Sequence, residues 1–422
     1  MTTTLVALGT ALAVLGGLYM AMTLVLARAR YAVPEAAPDG LRGVRVVAAL
    51  IEELVIGPTV TSLGALGDEV MIVVVDDGSD DATAEVATSV SDRVVVLRRQ
   101  VPEARQGKGA ALNAAYAHVV EVARREGWDP ARVVVGVVDG DGRLGPDAVS
   151  RVGRYFADPG VGAVQVQVRI SNRSMGWLAR IQDYEFLTFS SLTQMAREHL
   201  GSVGLGGNGQ FTRLSALMEV DEGGGPWGGC LTEDLDLGIR LVLAGWENRF
   251  TTDVEVRQQG LTSVRRVVRQ RTRWMQGHLQ CWRHLRALWA SSLPTRKVLD
   301  MSWYMLGPAL FVVLSVAFGV VVAVTAVAVA AYAVLGHGLM VTWWALVPYG
   351  LAFGPGLLFA FAYRKRAGDI GVVGTVLLAH VLWAYNYLWY LATWRALGRI
   401  VLRRSGWVKT ARLVEAADAP AG

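Results

Sequence analysis

Val133-Val-Val-Gly-Val-Val-Asp139-Gly-Asp141-Gly142 is the stretch from which the fold is read. Its apolar run does not alternate with polar residues, the pattern of a strand buried on both faces of a parallel sheet. It then runs into two carboxylates one residue apart, on a turn that Gly140 and Gly142 allow to bend tightly. Alone, Asp-Gly-Asp-Gly is more often a surface turn. At the end of a buried strand the same pair can face one point and hold a hard divalent cation that bridges diphosphate oxygens. Working outward, Val44–Leu50, Val70–Val75, Val94–Leu97 and Val161–Val168 have the same strand character. Helical patterns over Gly107–Glu126 and Leu235–Ala244 fall between or after them. The alternation predicts an α/β fold, a sheet flanked by helices, with ligands outside the carboxyl ends of its strands.

Four further clusters carry chemistry, each with a plain alternative. Asp76-Asp77-Gly-Ser follows a strand. It is either a solvated turn with Ser79 or Asp80 capping the next helix, or a pair of acceptors for a nucleoside. Gln106-Gly-Lys108-Gly opens a helix, where free N–H groups and an ammonium suit phosphate, although the same residues make a flexible turn. Thr232-Glu233-Asp234 follows a glycine-rich segment. It reads as good helix capping by Thr232 or as a general base for an incoming hydroxyl. Arg269-Gln270-Arg271-Thr-Arg273-Trp274 is a basic helix face, a contact to anionic lipid, or a clamp on a leaving diphosphate with Trp274 stacked on a sugar.

The chain has 422 residues, 53% hydrophobic and 18% charged. Met1–Leu26, Trp303–Tyr363 and Ile370–Trp394 contain no Asp, Glu, Lys or Arg, so the apolar excess is membrane rather than core. The organisation this predicts is an N-terminal anchor (1–27, apolar over Leu5–Leu26), a domain over 40–290, spans over 303–335, 343–363 and 370–393, and a basic tail over 394–422. Arg28 and Arg30 follow the first apolar run and place the domain in the cytosol by the positive-inside rule, with Arg364, Lys365 and Arg366 on the same side. The expected location is therefore the cell membrane, multi-pass. The tail conflicts with this count. Three spans put it outside, whereas Arg395, Arg399, Arg403, Arg404, Lys409 and Arg412 argue for inside, so it is either an exported basic helix or one apolar segment is re-entrant.

The net charge of +5 is unevenly divided, −10 over residues 27–256 and +10 over Arg257–Lys297. That acidic domain argues against a nucleic-acid partner and for a phospholipid surface. Segments 175–194 and 267–289 are predicted to be interfacial helices, the first with Met175, Leu178, Ile181, Tyr184 and Leu187 at helical spacing, the second interleaving Trp with Arg. Cys230 and Cys281 lie about fifty residues apart with no CxxC or Cys/His spacing, so sequence alone indicates neither a disulfide framework nor a zinc site.

Taken in order, Asp76-Asp77-Gly-Ser, Gly107-Lys108 with Ala111-Leu-Asn113, Asp139-Gly-Asp141, Thr232-Glu-Asp234 and Gln270-x-x-Arg273-Trp274 resemble the family 2 inverting glycosyltransferases of GT-A fold. The resemblance, strongest to the membrane-integrated cellulose, chitin, hyaluronan and poly-N-acetylglucosamine synthases, covers roughly residues 44–395. It implies that Asp76 and Asp77 bind the uridine end of a UDP-sugar, that Lys108 lies near the nucleotide, and that Asp139 and Asp141 hold Mg²⁺ or Mn²⁺. Asp234 would be the base, Glu233 would lie at the acceptor, Gln270 and Arg273 would close over the diphosphate, and Trp274 would hold the acceptor end. The family's Pro-x-x-Asn-Glu pattern is replaced here by Ala48-Ala-Leu-Ile-Glu52-Glu53. Gly206-Gly207-Asn208-Gly-Gln-Phe211 resembles enzymes that glucosylate diacylglycerol.

The leading expectation is a UDP-sugar-dependent transferase that elongates a β-linked glycan. Its alternative is a non-processive lipid glycosyltransferase. A transporter or scaffold with a degenerate domain is disfavoured, because the spans carry no charged side chain for coupling.

Overall fold

The computed structural model describes residues 17–29, 31–67, 70–334 and 346–404. Arg30, the first part of the predicted anchor, residues 335–345 and the tail with Lys409 and Arg412 lie outside them.

One mixed sheet organises the domain. Its strands are β1 (Arg42–Ala49), β2 (Val70–Asp76), β3 (Val94–Arg98), β4 (Val133–Asp139), β5 (Arg143–Leu144), β6 (Val161–Ile170), β7 (Gln210–Arg213) and β8 (Glu247–Gln258). They lie in the order β3-β2-β1-β4-β7-β6-β8-β5. The five predicted strands are all present, and β1, β2, β3 and β4 pair in parallel. Their alternate residues supply two cores. Val44, Val46, Val73, Val75, Val135 and Val137 pack with Ala111, Leu112, Ala115 and Val119 of the helix Lys108–Arg125. Val47, Ile72, Val74 and Val134 pack against Ile56, Val60 and Leu63 of the helix Ile56–Gly64. Each face is covered by a helix, and this is why the strands read as unbroken apolar runs.

β5, β7 and β8 escaped the sequence reading. β7 is antiparallel to β4 and β6, and its sequence Gln-Phe-Thr-Arg carries little strand signal. β8 bears five charged residues in a long polar run, Glu-Asn-Arg-Phe-Thr-Thr-Asp-Val-Glu-Val-Arg-Gln, and is held by pairing with β6 rather than by an apolar pattern.

Chain order reverses at β1. The chain moves from β1 to β2 on one side, and β4 adds on the other. β1 and β4 stay paired as far as Ala48 and Asp139, and the connections after them leave in opposite directions, the usual ligand position of such sheets.

Three helices follow the domain, Thr295–Val334, Leu346–Ala367 and Val372–Val401. Among the described residues, Thr295–Val316 and Val372–Val401 are long and apolar enough, by length and composition, to cross a membrane. The predicted first span is a single helix, extended back to Thr295. The last two helices are tied to the domain at several points. Arg366 donates to Gln167 of β6 at 2.9 Å, and Asp369 accepts from Arg173 and Arg180 at 2.9 Å each. Farther on, Tyr385 donates to Glu185 at 2.9 Å and Arg399 to Gln276 at 2.6 Å. Residues next to both ends of Val372–Val401 thus touch the same domain.

The segment 175–194 forms the helix Trp177–Tyr184, a widened turn over Glu185–Ser190 and the helix Ser191–Leu200. Its Leu178, Ile181, Tyr184 and Leu187 are not left for lipid. They pack against Phe359, Tyr363, Leu378 and Tyr385 of the apolar helices. Asp183, which lies between these apolar positions, is fully buried, accepting from both Arg169 at 3.0 Å and Tyr363 at 2.9 Å.

Asp300 joins three segments. It accepts from Arg197 at 2.8 Å, from Ser202 at 2.6 Å and from Tyr19 at 3.1 Å. Removing it leaves Arg197 buried without its counter-charge. Asp300→Ala is expected to cost about 3–5 kcal/mol, read as a lowered unfolding midpoint of the detergent-solubilised protein. An unchanged midpoint would contradict this role.

Candidate active site

Around the carboxyl end of β4 the structure brings together five of the sequence-predicted residues, Lys108, Asp139, Glu233, Asp234 and Arg273. Asp139 ends β4 and is half-buried, and its backbone N–H donates to Asn208 Oδ1 at 3.1 Å. Lys108 stands at the first position of its helix, after Gly107 at φ +112°, a conformation that a side-chain-bearing residue rarely adopts. Its ammonium donates to Asp139 Oδ1 at 2.5 Å and to the Gly207 carbonyl at 2.6 Å, and lies 3.9 Å from Glu233 Oε1. Burial works against the Lys108 charge, but Asp139 and Glu233 outweigh it and its pKa is raised.

Glu233 and Asp234 open the helix Glu233–Leu243, where the macrodipole favours negative charge. Asp234 Oδ1 accepts from the Leu235 N–H at 2.8 Å. Its Oδ2 would stand 3.2 Å from a Cβ at Gly207, and Lys108 Nζ would stand 3.0 Å from the same point. A side chain there would enter the cleft between base and ammonium. Burial and the neighbouring Asp234 push Glu233 up to about 7. Asp234 is also raised, by burial against the opposing pull of Lys108 and Arg273. Thr232 occupies the N-cap position, yet its hydroxyl makes no capping bond. It faces Gly277 instead, where any Cβ would meet Thr232 at about 2.5 Å.

Gln270, Arg273 and Trp274 lie half-buried on the helix Val264–Gln280. Arg273 is close enough to lower the pKa of both Glu233 and Asp234. Trp274 meets Phe186 edge-on at 6.4 Å and Trp389 at 6.2 Å. Arg271, which the sequence reading left with no role, is 1% exposed. Its guanidinium lies over Trp274 at 4.1 Å and Trp389 at 4.5 Å and donates to Glu185 at 2.6 Å and Tyr385 at 2.9 Å. It fixes the Trp274 ring from behind.

Asp76 and Asp77 sit at the end of β2, both buried. Asp76 accepts from the Ser79 N–H at 2.9 Å and lies 3.5 Å from Arg98. Asp77 is hydrogen-bonded by Arg99, and burial raises its pKa against that pairing. Neither Ser79 nor Asp80 caps the next helix, whose N-cap position is Ala82. Asp81, one residue before it, accepts from the Thr83 N–H at 3.1 Å, and Ser79 accepts from the Ile51 N–H at 2.9 Å.

Asp141 is 1% exposed, with Oδ2 accepting from the Gln259 N–H at 2.8 Å. Sequence reasoning missed Glu52. This buried carboxylate would touch any Cβ at Gly140 at 2.8 Å, so the absent side chain lets it pack onto the Asp-Gly-Asp turn. It stands in the loop that departs from the family pattern. Asn113 was also given no role, and it ties the glycine-rich loop to the Lys108 helix. It donates to Gly224 and Trp227 carbonyls at 3.0 and 2.9 Å and accepts from the Trp227 N–H at 3.0 Å.

An ammonium between strand-end carboxylates, with a buried acidic pair and an arginine facing it, is suited to a diphosphate leaving group and a hydroxyl nucleophile. Residues 44–277, more than half the chain, match the family model described as glycosyltransferase like family 2. The chain belongs to glycosyltransferase family 2. It is 33% identical over 309 residues to the β-monoglucosyldiacylglycerol synthase of Synechocystis, covering 68% of this chain and 60% of that protein. A synthase of the same name from Trichormus variabilis is 32% identical, covering 62% of this chain and 54% of the relative. This transferase thus spans a little over half the length of these relatives. An Arabidopsis thaliana glucomannan 4-β-mannosyltransferase is 26% identical over 57% of the chain and 42% of its own. In fold, the family 2 chain superimposes on a Pyrobaculum calidifontis mannosyltransferase solved with GDP-Man and Mn²⁺, at a TM-score of 0.59 and 18% identity over 91% of this chain and 98% of that one. The expected GT-A-type α/β architecture stands.

Burial and Asp234 raise Glu233 to about 7, burial raises Asp234 with it, and a carboxylate that is to accept a hydroxyl proton must be deprotonated to act. The rate of this transferase is therefore expected to rise with pH through about 7, where Glu233 titrates. Glu233→Gln removes the like charge beside Asp234 and should move that acid limb to lower pH in a kcat–pH profile. An unmoved limb would separate Glu233 from the titration.

Proposed function

We propose that this enzyme transfers a hexose from a UDP-sugar to the hydroxyl of a membrane lipid of the diacylglycerol class, with inversion and one sugar per cycle. The observation that carries the acceptor is the Trp274–Trp389 contact. The helix that brings Arg273 and Trp274 to the carboxylates rests on Val372–Val401, one of the helices apolar enough for a bilayer. A hydroxyl arriving from a lipid layer would meet the cleft at that edge. Exposed Trp177, Phe189 and Trp289 add apolar surface of the kind that sits at a membrane boundary. The likeness to β-monoglucosyldiacylglycerol synthases supports the same reading, and it replaces glycan elongation as the favoured activity.

In this reading Asp234 takes the acceptor proton as its oxygen forms a bond to the anomeric carbon and the bond to the diphosphate oxygen breaks. Lys108 and Arg273 hold the departing negative charge, Gln270 closes over it, and Asp76 and Asp77 bind the uridine. Glu233 and Trp274 orient the acceptor. The residues fit a hard cation, since Asp139, Asp141 and the adjacent Glu52 offer only carboxylate oxygen, and Lys108 already holds a positive charge against Asp139. Bound there by Asp139 and Asp141, Mg²⁺ or Mn²⁺ would supply Lewis-acid charge to the diphosphate. The proposed setting is the cell membrane, the domain on the cytosolic face.

Membranes incubated with labelled UDP-sugars and diacylglycerol are expected to yield an organic-extractable glycolipid with one sugar. A solvent-insoluble polymer as the product would reject the lipid assignment. Asp234→Asn is expected to lower turnover by about 10²–10⁴-fold while keeping UDP-sugar binding, and full turnover in that variant would reject the base. Asp139→Ala with Asp141→Ala should abolish the dependence of UDP-sugar affinity on Mn²⁺.

A further inference from the structure

The two cysteines, far apart in sequence, meet behind the catalytic carboxylates. Cys230 precedes Thr232 by two residues, and Cys281 immediately follows the helix Val264–Gln280. One ligand atom each from Cys230, Asp236 and Cys281 lies within 4.8 Å of the others, and all three residues are buried. Cys230 Sγ is 3.6 Å from Asp236 Oδ1, close to the separation of two ligands on one tetrahedral zinc ion. His284 Nε2, 2.7 Å from the same Oδ1 and 3.3 Å from Arg283 Nε, lies at the rim, outside the group of three that mutually approach within 4.8 Å, and is the candidate for a fourth donor.

We propose that Cys230, Asp236, Cys281 and His284 form a zinc site that fastens the carboxylate-bearing helix to the helix carrying Arg273 and Trp274. Four observations support it. The donor set, two sulfurs with one oxygen and one imidazole, is what zinc takes and what Mg²⁺ avoids. The carboxylate is oriented from outside the donor set, with Arg240 donating to Oδ2 at 3.1 Å and Arg283 to Oδ1 at 2.5 Å, as partners of metal ligands do. The segments are held in place independently: Gln280 Oε1 accepts from the Leu231 N–H at 2.9 Å, and Gly277 packs on Thr232. Charge also balances. Binding exchanges two thiol protons for one dication, Zn²⁺ + 2 RSH giving Zn(SR)₂ + 2 H⁺, so Arg240 and Arg283 face no added net charge.

This site is separate from the Asp139–Asp141 turn and does not depend on the identity of the acceptor. The full-length detergent-solubilised protein, stripped with chelator under reductant, is titrated with Zn²⁺ alone and in parallel with Co²⁺. One zinc per chain is expected, with thiolate-to-cobalt charge-transfer absorption in the near ultraviolet, protection of both thiols from alkylation, and a raised unfolding midpoint. Cys230→Ser and Cys281→Ser should each lose the absorption, with circular dichroism confirming that they remain folded. Should they not fold, alkylation of the unaltered protein decides, since thiols equally reactive with and without Zn²⁺ overturn the site. A Cys230–Cys281 disulfide in the freshly isolated protein, seen as an intact mass lower by two hydrogens, also overturns it. None of these readouts uses transferase activity, so a failed acceptor assay and a failed zinc site are told apart.

Discussion

The Lys108 ammonium is the contact around which the cleft is built. It touches the end of β4 through Asp139, the loop before β7 through the Gly207 carbonyl, and the helix Glu233–Leu243 through Glu233. Without a cation there, three buried or half-buried carboxylates would face each other across a few ångströms, a repulsion the low-dielectric interior amplifies. The lysine can stand there because its helix begins at Gly107, and because Asn113 one turn farther on holds the glycine-rich loop against the same helix. Backbone conformation, loop anchoring and charge thus converge on one nitrogen.

A second constraint joins the cleft to the apolar helices. Arg271 lies against two tryptophans and binds Glu185 and Tyr385, so one buried cation holds a helix of the domain, the widened turn beside it and the last apolar helix. Asp183 does the same a turn away, binding Arg169 of β6 and Tyr363. Such pairs are costly to desolvate and are weak evidence for stability. Their geometric effect is clear, since each sets the position of a catalytic-side element relative to the helices that would meet lipid.

The strands β1 to β4 and the acidic turns at their ends were legible because buried parallel strands leave continuous β-branched runs that stop where the chain turns. Polar strands paired by neighbours leave no such mark, and β7 and β8 were missed for that reason. Glu52 was overlooked because the loop carrying it departs from the family pattern, while its relevance comes from contact with Gly140, 88 positions along the chain. The burial of Asp183 is not legible in helical spacing, because its environment is set by Arg169 and Tyr363 from two other elements.

By itself the sequence determined the α/β class, the identity of the charged residues at the strand ends and the division into an acidic domain and apolar segments, because these follow from local periodicity and composition. Only the tertiary structure decided which carboxylates surround Lys108, which arginine backs Trp274, and where the last apolar helix lies. It also brought Cys230 and Cys281 to one buried point. Spacing rules see ligands only when they lie on one loop or helix, whereas these two are joined by the docking of one helix on another, with Gly277 against Thr232.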